Sequence, residues 1–244
     1  MKKGYYKDAL GPIKWHIERF GLLHIINGVI SKIFAPVIIS TLKPSTFSFR
    51  KKTYPLLYHR YNTTWKNERC LEVPLVKSLI DNGAGDVLEI GNVLSHYYPL
   101  SWDVLDKFEK AERVINEDLL SFVPSKKYEL VVSISTFEHI GFDDDLESNF
   151  KNSAEKIQRS FENITKNILK KNGKVAITAP IGYNPDMDSL IFKNGLKFDE
   201  IYFYKKDGDG KWGSASKDEA EGSKYNYPHP YANCIALGIK EKSD

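Results

Sequence analysis

From residue 70 to 81 the chain reads Cys-Leu-Glu-Val-Pro-Leu-Val-Lys-Ser-Leu-Ile-Asp, and Asn82-Gly83 follows. Apolar positions recur there at intervals of three and four, which predicts an amphipathic helix ended by a glycine stop. The pattern then changes to short apolar runs separated by polar turns. Strands are expected at 86–91, 102–106 and 113–116. A fourth is expected at 128–135, where Tyr-Glu-Leu-Val-Val-Ser-Ile-Ser is apolar almost without break, as in a strand covered on both faces. Helical spacing returns over 146–169 and closes at Lys170-Lys171-Asn172-Gly173, with cations in the last turn and glycine at the stop. Later strands are expected at 174–179, 198–204 and 232–239. Alternation of strands and helices predicts a mostly parallel α/β sheet with helices on both faces. The last two strands, with no clear helix between them, predict an antiparallel hairpin at one edge. The Gly-, Lys- and Ser-rich stretch 207–224 reads as a surface excursion within that hairpin.

Upstream of this pattern, residues 1–52 form a separate arm ending in Arg50-Lys51-Lys52, and residues 53–244 form the domain. In the arm, Ile17, Phe20, Leu23, Ile26, Ile30 and Ile33 fall near helical spacing and predict a one-sided apolar stripe. His24, Asn27, Gly28, Lys32 and Pro36 interrupt the segment too often for a membrane span. Such a helix would either dock on its own domain or lie in a membrane interface, with Lys14, Arg19 and Lys32 near headgroups.

The length suits one domain with a sizeable core. The net charge of +3 conceals a division: residues 1–70 hold 13 Lys and Arg against 3 Asp and Glu, and the remainder 22 against 29. A basic arm on an acidic body suits an anionic surface near the arm, or contact of the arm with its own body. No nucleic-acid partner is expected, because the body is acidic. Cys70 and Cys234 offer neither metal spacing nor a disulfide framework, so a reduced cytoplasm is the expected compartment, with peripheral membrane contact through the arm as its variant.

In a sheet of this kind ligands bind beyond the carboxyl ends of the strands, where the strand order reverses. Four strand ends carry suitable residues. Glu89-Ile-Gly91-Asn92 joins an acid to a glycine turn that lets backbone approach a ligand. Asp106 ends the second strand, where a carboxylate can accept both hydroxyls of a ribose. Glu117-Asp118 follows the third and is placed to accept from an adenine amino group. Ser135-Thr136-Phe137-Glu138-His139 follows the fourth and would line the floor beneath a reactive atom. His139 is the candidate general base, with His96 and His229 as rivals. Asp143-Asp144-Asp145 precedes a helix whose positive end favours acids, so no metal is expected there. Tyr183, Asn184, Asp186 and Asp188 are candidate substrate contacts, and Tyr58, Tyr61 and Trp65 can roof the site or stack on a sugar ring.

The ordered set Val-Leu-Glu-Ile-Gly91, Val-Leu-Asp106, Ile-Asn-Glu-Asp118 and Tyr128-Glu-Leu-Val-Val-Ser-Ile-Ser-Thr-Phe-Glu-His-Ile140 resembles the class I S-adenosylmethionine-dependent methyltransferases over about residues 70–240. The resemblance implies a Rossmann-like fold with a seven-stranded, mostly parallel sheet. It also implies S-adenosylmethionine as cofactor, held by Glu89, Gly91, Asn92, Asp106, Asp118, Ser135 and Thr136. The implied function is methyl transfer to an oxygen or nitrogen of a small-molecule or glycan-like acceptor. One departure stands out: the first loop continues Gly91-Asn-Val-Leu-Ser-His-Tyr97, with only the first glycine of the family's pattern. The alternative function is therefore a non-catalytic methyltransferase-like binding or scaffold protein at a membrane surface. A nicotinamide dehydrogenase is disfavoured by the missing Gly-x-Gly-x-x-Gly.

Overall fold

The computed structural model describes residues 22–83, 85–143 and 153–242, and for residues 22–29 the backbone alone. The first part of the arm, residues 1–21 with Lys14, Ile17, Arg19 and Phe20, lies outside the described residues. So do Asp144, Asp145 and the first part of the helix expected over 146–169.

In chain order the elements are α1 (Leu22–Thr41), the hairpin β1 (Thr46–Phe49) and β2 (Lys52–Pro55), α2 (Arg69–Asp81), β3 (Val87–Ile90), β4 (Asp103–Leu105), β5 (Val114–Ile115) and β6 (Tyr128–Ile134). There follow α3 (Ser153–Asn163), β7 (Leu169–Pro180), α4 (Pro185–Phe192), β8 (Glu200–Lys206), β9 (Trp212–Ala215), the one-turn α5 (Lys217–Ala220) and β10 (Cys234–Glu241).

One eight-stranded sheet dominates, in the order β5-β4-β3-β6-β7-β10-β8-β9. The first five of these are parallel, and β10, β8 and β9 join antiparallel. The order of the parallel strands reverses between β3 and β6, as in doubly wound nucleotide-binding folds. The expected seven strands are therefore eight, and the last of them is not at an edge. β10 is inserted between β7 and β8, and the edge hairpin is β8–β9, built from part of the stretch read as a surface excursion. Trp212 explains the difference: its ring is 8% exposed and anchors β9 on the core.

Pairing aligns one row across the sheet, Ile90 with Ser133, Ser133 with Ile177, Ile177 with Gly238 and Gly238 with Ile201, and Pro180, Ile235 and Tyr204 form a further row nearer the carboxyl edge. Since β8 runs in the same direction as the parallel strands, Lys206 at its end shares that edge.

The crossovers also depart from the pattern. Only β6 to β7 carries an α-helix, α3 extended by a π turn at Ile164–Ile168. The β3–β4 connection has a single 3-10 turn at Leu94–His96, and neither β4–β5 nor β5–β6 contains a helix. The helix expected to close at Gly173 ends at Ile168, because residues 169–173 are already part of β7. Helices nevertheless cover both faces. On one, α2 and the β1–β2 hairpin pack with Trp102, Tyr204 and Trp212. On the other, α3, the π turn and α4 pack with Phe122 and Phe198.

Local chemistry sets these elements. Asn67 Oδ1 accepts from Arg69 N at 3.0 Å, opening α2. Pro74 inside α2 cannot donate to the Cys70 carbonyl, which accepts instead from Leu57 N at 2.8 Å and ties the upstream segment to the helix. Asn184 opens α4 by accepting from Asp186 N and Met187 N, with Pro185 in the first turn.

The hairpin spans position 52, with Phe47 and Phe49 buried in the core beside Tyr204 and Tyr202. α1 buries Ser31 and Ala35 and leaves Ile30, Ile33, Phe34 and Val37 exposed. Among the described residues no helix is long and apolar enough to cross a membrane.

Candidate functional site

The reversal point is flanked by the turn after β3 and the loop after β6. Glu89 is fully buried at the end of β3, and its carboxylate organises the turn. Oε1 accepts from Val93 N (2.8 Å) and Leu94 N (2.7 Å), and Oε2 accepts from the Trp102 indole at 2.9 Å. Burial pushes this carboxyl up to about 6, against the pull of its three donors. Gly91 sits at φ +83°, and a Cβ there would lie 2.2 Å from Thr136 Oγ1. The absent side chain thus makes room for the β6 loop, joining Gly91 and Thr136 across the reversal point.

Asn92 is buried. Its backbone N–H donates to Asp106 Oδ2 at 3.1 Å, its Nδ2 donates to Glu109 Oε1 at 3.0 Å, and its Oδ1 has no partner. Asp106 also accepts through Oδ1 from Phe108 N (2.8 Å) and Glu109 N (2.7 Å). Three amides therefore share a carboxylate expected to stand free for two ligand hydroxyls. Asp118 accepts from Leu120 N at 2.9 Å and pairs with Lys107 at 2.8 Å. Partial burial raises its pKa, but Lys107 and the Leu120 amide outweigh this and hold the carboxyl below its ordinary range.

After β6 the backbone turns through Ser135 at φ +39°. Ser135 Oγ donates to Glu72 Oε1 at 2.6 Å, and Arg69 pairs with Glu72 Oε2 at 2.5 Å. Glu68, in the same buried cluster, accepts from Ala232 N at 3.2 Å. Glu138 is 1% exposed, with Oε2 unpartnered, and burial pushes its carboxyl up to about 7. The sequence reading missed Glu68, Arg69 and Glu72. The available signal was the acid Glu72 within the apolar run of α2.

His139, in the 3-10 turn Phe137–His139, has Nδ1 2.6 Å from Asp143 Oδ1, and the Tyr183 hydroxyl donates to Asp143 Oδ2 at 2.5 Å. The imidazole is 40% exposed, with Nε2 3.8 Å from Glu138 Oε1. Desolvation lowers the histidine pKa, but the Asp143 bond and Glu138 more than reverse that, so it stands above the ordinary histidine value. A carboxylate on one ring nitrogen and a partly exposed second nitrogen form the arrangement of an oriented general base.

The remaining candidates divide. Asn184 is wholly buried and structural, donating to Glu138 O and Ser153 Oγ besides opening α4. Asp186 accepts from Ala154 N and Asp188 from Gly182 N. Of that expected group of substrate contacts, only Tyr183 reaches the His139–Asp143 pair. His96 stacks on Tyr61 at 4.2 Å and lies 3.3 Å from Glu109, while His229 Nε2 lies 3.0 Å from Asp207 O. Tyr61 also meets Tyr97 edge to face, so the segment Tyr61–Lys66 roofs the Gly91 loop.

No known family profile matches the chain, and no curated protein does. Among solved structures it is similar to the N-methyltransferase NodS from Bradyrhizobium japonicum in complex with S-adenosyl-L-homocysteine, at 14% identity over 70% of this chain and 84% of that one, with a TM-score of 0.40. A S-adenosylmethionine-dependent methyltransferase from Clostridium acetobutylicum gives 11% identity over 70% and 89%, with a TM-score of 0.36. TehB from Haemophilus influenzae gives 13% identity over 76% and 65%, with a TM-score of 0.37.

Proposed function

We propose that this chain binds S-adenosylmethionine at the reversal point and transfers its methyl group to an oxygen or nitrogen of a small-molecule or glycan-like acceptor. The observation that carries this reading is an acid-lined reversal point without a crossover helix. A dinucleotide pyrophosphate needs a helix N-terminus after the first strand, and here a three-residue 3-10 turn stands in its place. A cationic cofactor needs no such anion site, and Glu89, Asp106, Glu109 and Asp118 supply negative charge around it.

The residues present fit that cofactor with one redistribution. Asp106 spends most of its acceptor capacity on loop amides, while the Oδ1 of Asn92 is buried without a partner, an unsatisfied acceptor at the same turn that a hydroxyl or ammonium donor would satisfy. Asn92 and Asp106 together would hold the cofactor at the Gly91 turn. When bound, S-adenosylmethionine supplies a methyl group already activated on a sulfonium, so alignment does most of the remaining work. His139, with Asp143 on Nδ1, takes a proton from an acceptor hydroxyl or amine at Nε2. Tyr183 orients Asp143.

Thermal denaturation with added ligand tests the reading. S-adenosylhomocysteine at 100 times its Kd is expected to stabilise the fold by about 2.7 kcal/mol, and NAD to leave it unchanged. Stabilisation by NAD and none by S-adenosylhomocysteine would reverse the assignment.

A second reading, a scaffold at a membrane surface, is favoured by the exposed Ile30, Ile33, Phe34 and Val37 on α1 within the basic third of the chain. Salt-sensitive sedimentation of the full chain with anionic vesicles, lost on Ile33→Ser with Phe34→Ser, is its expected signature.

A further inference from the structure

A cavity of about 480 Å³ opens at the carboxyl edge of the sheet, away from the Gly91 turn, between the segment Tyr61–Lys66, the first turn of α2 and the end of β8. Its volume lies within the range of small-molecule sites. Four aromatic rings line it, those of Tyr58, Trp65, Trp212 and Tyr231, together with the ammonium-bearing Lys66 and Lys206. Lys211 and His229 add to the wall, and no Asp or Glu lines it.

Lys66 and Lys206 bring two ammonium groups to this wall. Among the described residues no carboxylate forms an ion pair with either. Lys66 donates to Ser31 Oγ. Lys206 donates to Pro230 O at 3.3 Å and lies over the Trp212 ring at 5.1 Å. Lys206 is half-buried, and desolvation lowers its pKa even though Glu68 opposes the shift. An ammonium withdrawn from water without a counter-ion costs free energy, which a bound anion recovers. Cys70 at the same wall is no rival chemistry, because burial pushes its thiol up to about 12.

The rings specify more than an anion. Flat faces of Trp and Tyr suit the apolar C–H faces of a sugar ring, and Ser45 and Thr63 on the wall suit its hydroxyl edge. The cavity also adjoins the buried cluster of the candidate active site. Asn67 and Cys70 line the cavity, whereas Glu68 and Arg69 of the same turn belong to the cluster. Tyr231 lines the cavity, and the next residue, Ala232, donates to Glu68.

We propose that this cavity binds an anionic sugar, a monosaccharide carrying a phosphate or carboxylate. The site stands on its own lining and does not rest on the methyltransferase reading.

Calorimetric titration of the full chain at low salt tests it with four probes: glucose 1-phosphate, glucuronate, glucose and inorganic phosphate. Glucose 1-phosphate or glucuronate is expected to bind at least ten-fold more tightly than glucose and than inorganic phosphate, and the tighter of the two identifies the anion. Lys206→Met is expected to weaken that binding at least ten-fold while leaving the affinity for S-adenosylhomocysteine unchanged. Lys66→Met, at an exposed side chain that gives up its hydrogen bond to Ser31 and no apolar core packing, is expected to act in the same direction and covers the case in which Lys206→Met fails to fold. Equal binding of the neutral sugar, of bare phosphate, or by both variants would overturn the site. Binding of the anionic sugar by a chain that ignores S-adenosylhomocysteine would keep the site and remove the methyl-transfer reading.

Discussion

Glu138 and His139 are neighbours whose pKa values are both raised, Glu138 by burial and His139 by its carboxylate partners against burial, and each yields a prediction. The Glu138 carboxyl titrates near 7 in the fold and near the ordinary glutamate value of about 4.3 in the unfolded chain. The native state therefore holds the extra proton between those values, and stability falls as pH rises from about 4.3 to 7. Glu138→Gln, which cannot ionise, is expected to flatten that slope and raise the melting temperature at pH 8. The gain should be about 2–4 °C per kcal/mol for a chain of this size, read from melting curves between pH 5 and 8. His139 must be neutral to accept a proton, and its pKa is raised by Asp143 and Glu138 against desolvation. Methyl transfer to a hydroxyl is thus expected to rise with pH through a midpoint above about 6.5. His139→Ala should lower the rate by roughly 10²–10⁴, and Asp143→Asn should move the midpoint down. Acids and histidines at strand ends were legible in the sequence because they follow apolar runs. Their partners were not, since the three amides on Asp106 and the Tyr183–Asp143 bond depend on how loops fold back.

At the scale of elements, α2 and the β3 and β4 strands follow from periodicity alone, and α2 begins one residue before its expected start. The β1–β2 hairpin and β9 did not announce themselves. Each is four residues long and is held by a few rings, Phe47, Phe49 and Trp212, more than by alternation. Alternation of strands and helices was expected, whereas the chain covers its β3–β4 connection with Leu94 and Trp102. The hairpin bears on truncation. Removing residues 1–52 deletes Phe47 and Phe49, and each buried phenylalanine contributes roughly 3–5 kcal/mol when cut to alanine. That truncation is expected to unfold the domain, while one ending at residue 44 keeps the hairpin and a cooperative melting transition. Within α2, Arg69→Ala leaves Glu72 buried without its cation and is expected to cost about 3–5 kcal/mol in denaturant unfolding.

For the molecule as a whole, the sheet gathers two sites along one edge: an acid-lined reversal point at Gly91 and a cation-lined cavity past the end of β8. Opposite charge at the two positions suits a cationic ligand at the first and an anionic ligand at the second, with His139 and Tyr183 on the loops after β6 and β7. The strand order β5-β4-β3-β6-β7 creates the first site, and the insertion of β10 before β8 brings Lys206 to the same edge. Gly91→Ala should damage both fold and site, since its Cβ would meet Thr136 at 2.2 Å with the backbone at φ +83°. The most direct test of the central claim is calorimetric titration of the full chain and of Asn92→Ala with S-adenosylhomocysteine. The parent is expected to bind with one site, and the variant, lacking the unpartnered Oδ1 acceptor, to bind about ten-fold more weakly, as the loss of about 1.4 kcal/mol requires. A parent that shows no binding at millimolar ligand, or a variant that binds as tightly as the parent, would contradict the account.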